Sequence, residues 1–401
     1  MSDNDPVKPD ARSGSTTTTA ARPGDAPVAA PRPKEGSPVW TGVLVALGAV
    51  TVIGILVVVA SLAGLWTPEF DWPSWLVSSI TAVEKFGLMF FAIILFVVVM
   101  SLILLAVDRA RGVRNWMVAL AFLAPMGLML VFGLIYPGLR TIRESFFDRT
   151  STNYVGFENY TTLFTEDIFQ IVLRNTAIWV FIVPIVSTLI GLVYAVLVDR
   201  TRFEALAKGL IFLPMAISMV GASIIWKFVY EYRPDQEGVE QIGLANQLLV
   251  WAGREPYQFL ITSPLNTFFL IVVMIWIQSG FAMTVLSAAI KAIPDDIVEA
   301  ARIDGVSGVG MFRYVTVPSI RPALVVVVTT IAIGTLKIFD IVRTMTGGNF
   351  NTSVVANEFY TQSFRQFNVG LGAALAVVLF VLVIPIVVYN VRQLRLSEDV
   401  R

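Results

Sequence analysis

Eight stretches of this chain are almost purely apolar: residues 39–65, 86–107, 115–138, 175–199, 209–230, 265–290, 322–343 and 368–391. Each is long enough to cross a hydrocarbon layer as one helix, which takes about 20 residues. Inside lipid no water satisfies backbone N–H and C=O groups, so such runs fold as helices that bond their own backbone. The expected fold class is therefore an all-α integral membrane protein with eight transmembrane helices. Only 14% of the 401 residues are charged, against about one-quarter in soluble domains. The chain has 0 Cys and 0 His, so disulfides, thiolate chemistry, the commonest metal ligand and the commonest general base are all missing. No catalytic residue and no metal site are expected, and the chain is not expected to be an enzyme.

The positive charges set the orientation. Lys and Arg number five in 1–38, three each in 108–114, 200–208 and 392–401, and four in 291–321. The alternate connections 66–85, 139–174, 231–264 and 344–367 carry one, four, two and one, over longer loops. The positive-inside rule then places both termini in the cytoplasm. Residues 1–38, rich in Ser, Thr, Pro, Ala and Gly, cannot bury a core and are expected to be a disordered cytoplasmic tail. The run Val39–Leu65 is longer than the apolar region of a secretory signal and reads as a membrane helix. On the predicted outer side, Trp66, Trp72, Trp75, Tyr136, Tyr230, Tyr232 and Trp251 suit an interfacial aromatic belt.

A polar island, Lys291 to Arg321, interrupts two of the apolar runs on the predicted cytoplasmic side. Pro294 suits the first turn of a helix, and Asp295 and Asp296 lie at the positive end of its dipole. Gly305 can take the left-handed conformation that stops it. Ile297, Ala300 and Ala301 share one side of this helix, with Glu299 and Arg302 on others, and the small alanines let another protein's surface approach the backbone. The residues Glu299-Ala300-Ala301, then Gly305 after three more, then nine residues, then Val315-Thr316-Val317-Pro318, form a spaced pattern. It resembles the coupling loop of bacterial binding-protein-dependent ABC import permeases, with Val315 and Val317 in place of Ile and Leu. The resemblance implies that Glu299, Ala300, Ala301, Asp304, Gly305, Phe312 and Pro318 couple this chain to a separate ATPase.

From about residue 118 to the end the chain also resembles maltose-type sugar permeases. The matching segments are Tyr136–Phe146, Val155–Tyr160, Phe212–Ser218 with Ile225-Trp226-Lys227, and Phe339-Asp340 followed by Met345–Gly348. In the last of these Asn349-Phe350 replace the usual Gly-Pro, and in detail the segments look most like the α-glucoside and glucosylglycerol branch. The implied organisation is a tail at 1–38, two extra N-terminal helices at 39–114, a six-helix type I importer core at 115–392 containing the coupling loop 291–321, and a short cytoplasmic tail at 393–401. The implied setting is the bacterial cytoplasmic (plasma) membrane. The implied partners are a second homologous permease, a dimer of ATPase subunits, an extracytoplasmic solute-binding protein and a sugar, with no nucleic acid. ATP and Mg belong to the partner ATPase and this chain holds no cofactor. In agreement, none of the seven lysines follows a glycine, so the usual phosphate-binding loop is missing.

Lys337 and Asp340, three residues apart within the run 322–343, are expected on one helix face at a depth where a lone charge is costly. They read either as a polar patch facing the translocation path or as a structural ion pair. Ser218, Trp226, Trp276, Gln278 and Ser279 are the supporting substrate-path candidates, because hydroxyl and amide groups bond sugar hydroxyls and indoles stack on sugar faces. A polyol or glycerol-phosphate is the alternative cargo. A phosphate would want an arginine cluster, and the core helices offer only Lys337 with Arg343. An ion-coupled secondary carrier, the alternative from another class, would display internal repeats and work without a partner.

Overall fold

A computed structural model describes residues 129–199, 201–234 and 241–398, together with single helical positions between 39 and 127. The tail 1–38, the greater part of the run at 39–65 and nine positions in each of the runs at 86–107 and 115–138 lie outside the described residues. The chain divides into two units, Met1–Phe132 and Gly133–Arg401. In the first, every described position is helical.

The second unit contains α1 (Tyr136–Glu144), α2 (Glu158–Thr165), α3 (Asp167–Val198), α4 (Glu204–Phe212), α5 (Met219–Val229) and α6 (Leu244–Trp251). There follow α7 (Leu265–Lys291), α8 (Asp295–Ile303), α9 (Arg321–Leu336), α10 (Asp340–Met345), α11 (Val355–Tyr360) and α12 (Val369–Glu398). Among the described residues there is no strand, only an isolated bridge between Phe147 and Tyr154. Among the described residues, three helices are long and apolar enough to cross a membrane: Asp167–Val198, Leu265–Lys291 and Val369–Gln393. Two bent pairs raise the number to five: Glu204–Ala216 with Met219–Val229, bent by 100°, and Val309–Ser319 with Arg321–Leu336, bent by 69°.

These bends correct two of the expected spans. The run 209–230 is not one straight helix. Pro214, which has no N–H to give, sits in a tight 3-10 turn over Leu213–Ala216, and the chain then restarts at Ser218, whose Oγ accepts from the Gly221 N–H at 3.0 Å as the N-cap of α5. The run 322–343 ends at Leu336. The Lys337 N–H turns back to the Gly334 carbonyl at 3.2 Å, and Phe339 adopts φ −132, outside helical geometry. Lys337 and Asp340 therefore lie on either side of a helix break and not on one helix face.

The main core forms where α3 crosses α7. Gly191 makes the crossing close: a Cβ there would lie 2.5 Å from the Ala282 Cβ and 2.7 Å from the Met283 nitrogen. Small residues let membrane helices approach in this way, since lipid supplies no hydrophobic force between them. Trp179, Val183, Met274 and Met283 fill the space beside the crossing. A second cluster, with Leu163, Phe169, Val355 and Leu375, joins α2, α3, α11 and α12. Phe380, Val381 and Val388 of α12 remain exposed, as suits side chains facing lipid tails.

The connection 344–367 is itself folded. It contains α11 and a π-turn over Thr361–Arg365, and is bonded to the ends of two spans. Asn175 Nδ2 donates to the carbonyls of Asn351 (2.7 Å) and Ser353 (3.0 Å), and Asn266 Nδ2 donates to that of Phe350 (2.8 Å). The Val355 N–H reaches Thr176 Oγ1 at 2.9 Å. Glu358, 7% exposed, accepts from Ser353 Oγ at 3.1 Å and Gln362 Nε2 at 2.9 Å. A buried carboxylate needs such donors, because desolvation alone would be prohibitive.

Candidate functional site

The polar island folds as the sequence dictates. Asp295 and Asp296 open α8 in the first turn, where the helix dipole favours them. Pro294 stands one position earlier than expected, as the N-cap. At the other end the Val306 N–H bonds to the Ala301 carbonyl (2.9 Å) and the Gly305 N–H to that of Arg302 (3.0 Å). This is the double closure of a Schellman stop, with Gly305 at φ +80 in the left-handed position. A Cβ on Gly305 would meet nothing within 4 Å, so the glycine serves conformation and not space.

No residue of α8 is buried. Ile303 is 80% exposed. Glu299 and Ala300 are exposed and Ala301 is half-buried. Asp295, Val298, Glu299, Arg302 and Ile303 line a shallow groove along the helix. Asp304 is its C-cap. The return segment runs through Val309–Met311, a π-turn over Phe312–Thr316, and Val317–Ser319, then bends into α9. Phe312 packs against the main core, and Ile320, just after the exposed Pro318, is fully buried. The motif thus presents an exposed helix and seats its return segment in the bundle.

The substrate-path candidates fall into groups. Trp226 of α5 and Trp276 of α7, both half-buried, come together with ring centroids 5.8 Å apart. Gln278 is half-buried on α7. Ser279 is buried and donates to the Ile275 carbonyl of its own helix at 2.7 Å, and Ser218 is occupied as the cap of α5. Lys337 is exposed at the end of α9 and Asp340 is half-buried at the start of α10, with no ion pair between them. Arg343 lies instead over the Tyr360 ring, 4.9 Å from its centroid, and Phe339 packs on the same ring at 5.1 Å.

Residues 169–395, more than half of the chain, match the family described as binding-protein-dependent transport system inner membrane component. The chain belongs to this family. It is a permease subunit of an ABC importer, a multi-pass membrane component and not an enzyme. It is 47% identical over 280 residues to the osmoprotective compounds uptake permease protein GgtC of Synechocystis sp., covering 70% of this chain and 100% of that one. It is 44% identical over 285 residues to the alpha-glucoside transport system permease protein AglF of Rhizobium meliloti, covering 71% of this chain and 83% of that one. Among solved structures, a chain of a bacterial alginate ABC transporter in complex with an alginate pentasaccharide-bound periplasmic protein shares the fold. The TM-score is 0.60 at 20% identity, over 69% of this chain and 93% of that one.

Several residues that shape this permease gave no motif signal. Tyr360, Glu358, Asn175 and Asn266 act through partners far away in sequence or inside a segment read as a loop. The only hint was polarity at the start of an apolar run, where Asn175 and Asn266 stand. At the C-terminal end of α5, Lys227, Glu231, Tyr232, Gln258 and Phe350 line a cleft of about 300 Å³.

Proposed function

We propose that this permease forms half of the path for an α-glucoside or a related small glucoside, and that α8 transmits ATP-driven movement from a separate ATPase dimer. The observation that carries the reading is an exposed, Schellman-closed α8 bearing the Glu299-Ala300-Ala301–Gly305 pattern in a chain of this family. The names of its relatives support the cargo, since one is an alpha-glucoside permease and another takes up osmoprotective compounds. The partners are a second permease, the ATPase with its ATP and Mg, and an extracytoplasmic solute-binding protein. A phosphorylated cargo is disfavoured because Arg343 is engaged with the Tyr360 ring. The test is reconstitution of the purified complex in liposomes with radiolabelled maltose, trehalose and glucosylglycerol. Uptake that needs both ATP and the binding protein supports the reading, and uptake by this chain alone defeats it.

Asp340 and Lys337 stay in the path under this proposal, now as separate polar groups at a helix break. Asp340→Asn is expected to lower uptake or change preference among the three sugars, while the complex assembles and hydrolyses ATP. Because no mutual pair exists to be broken, neutralising Lys337 as well is not expected to restore uptake. Recovery in that double variant would remove both residues from the path.

The proposed orientation, with both termini cytoplasmic, has its own check. Single cysteines at Ser15, Ser307 and Ser397 are expected to resist an impermeant thiol reagent in intact cells, while one at the exposed Asn351 reacts. Labelling of Ser307→Cys from outside would invert the topology.

A further inference from the structure

The inner ends of three helices meet at a charged cluster that lies outside the coupling motif. Glu204, the first residue of α4, accepts through Oε1 from Lys208 Nζ one turn along at 2.6 Å, and also from Lys291 Nζ, the last residue of α7. Lys291 Nζ is also 4.0 Å from Oδ1 of Asp199, the C-cap of α3. Lys208 in turn donates to Ser287 Oγ, one turn before Lys291 on α7. The side chains of Asp199, Glu204 and Lys208 are 16%, 21% and 24% exposed, and that of Lys291 is 50% exposed. Two carboxylates and two ammonium groups in such a setting form a network, which resists solvent screening better than an isolated surface pair. Arg202 is turned away over the Phe203 ring, 5.7 Å from its centroid.

A second contact holds the same two helices higher up. Gly280 of α7 lies against the backbone of α4, where a Cβ would be 2.6 Å from the Ile211 carbonyl oxygen. Helix α4 is therefore fixed to α7 at both ends, by charge at the bottom and by close packing at the top. Only Ala292, Ile293 and Pro294 separate Lys291 from the first residue of α8. Three residues leave little slack. A force on α8 reaches Lys291 almost directly, and Glu204 is the first group through which it passes sideways to α4. Beyond its bend, α4 continues into α5, which carries Trp226.

We propose that Glu204 is a positioning residue of the transport cycle: paired with Lys291, it locks α4 to the root of the coupling helix, so that the inner ends of α4 and α7 travel together when α8 is displaced. This rests on the coupling role assigned to α8. Without the pair, the ATPase still docks on α8 and turns over, but α4 lags and hydrolysis is no longer matched by sugar movement.

The chain has 0 Cys, so Glu204→Cys with Lys291→Cys, in a complex built from cysteine-free partners, creates one thiol pair that a short bifunctional thiol reagent can join. The readouts are ATPase co-purification and the ratio of maltose, trehalose and glucosylglycerol moved per ATP hydrolysed in proteoliposomes. The unjoined variant is expected to keep its ATPase and to lose roughly tenfold in that ratio, within the usual range of coupling between sites. Joining the thiols is expected to restore it, and Lys291→Arg alone is expected to keep it. An unchanged ratio in the unjoined variant, loss of transport on joining, or loss of the ATPase would each overturn the proposal. Failure of the coupling reading itself is distinguishable, because Glu299→Lys would then leave ATPase docking intact.

Discussion

Gly305→Val and Glu299→Lys are each expected to abolish transport while leaving membrane insertion unaffected. The two variants reach that result by different routes. At φ +80 Gly305 holds a conformation that costs a side-chain-bearing residue about 1–2 kcal/mol, and a β-branched residue tolerates it least. The open space around it gives no steric penalty, so the cost falls wholly on the turn: the Val306-to-Ala301 and Gly305-to-Arg302 bonds are lost and the segment toward Phe312 is misdirected. Gly305→Asn, which accepts the left-handed region more readily, is expected to retain most of the function. Glu299 is exposed on α8 and free to meet a basic group on the ATPase, a contact that gains strength when the interface excludes water. Reversing its charge replaces attraction with repulsion. The measurement is co-purification of the ATPase with each variant, followed by hydrolysis with sugar-loaded binding protein. Normal docking and stimulation in both would show that α8 is not the coupling element.

Gly191→Val is expected to prevent assembly altogether. The added side chain would start 2.5 Å from the Ala282 Cβ and 2.7 Å from backbone nitrogen of Met283, and backbone cannot swing aside as a flexible side chain can. Overpacking in a well-packed core costs about 1–3 kcal/mol and sometimes more, and here the only relief is to separate α3 from α7. That would uncover the buried Trp179, Val183 and Met283 along the crossing. Gly334→Ala on α9, where a Cβ meets nothing within 4 Å, is the control and is expected to behave as wild type. Monodisperse yield after detergent extraction reads both. A Gly191→Val protein extracted at the wild-type yield would mean that the crossing is looser than described.

The comparison of the two glycines explains what could be read from sequence. Gly305 stood out because its role is local: the acidic first turn at Asp295, the stop signal and the apolar return at Val317 lie within 23 residues, and each acts through backbone geometry that short-range chemistry fixes. Gly191 carried no such mark, because its neighbour is 91 residues away and nothing in its own run indicates which helix it will face. The same division separates the candidate residues. Trp226 and Trp276 were proposed independently and are in contact, whereas Lys337 and Asp340 were placed on one face by spacing that assumed an unbroken helix. Apolar composition is blind to a bend, since the residues around Pro214 are as lipophilic as a straight span would be. Hydropathy counts transfer from water, and a broken helix keeps its side chains in the same solvent.

The sequence by itself therefore determined the all-α membrane class of the described residues, helix α8 with its Gly305 stop, and the family, because lipid leaves the backbone few options and the motif is written in consecutive turns. Only the tertiary structure decided where spans break, that Arg343 rests on Tyr360, that Asn175 and Asn266 hold the segment 350–353, and that Glu204 meets Lys291 across 87 positions. Those contacts arise from which helices become neighbours, and that choice is made by close packing among many similar apolar faces.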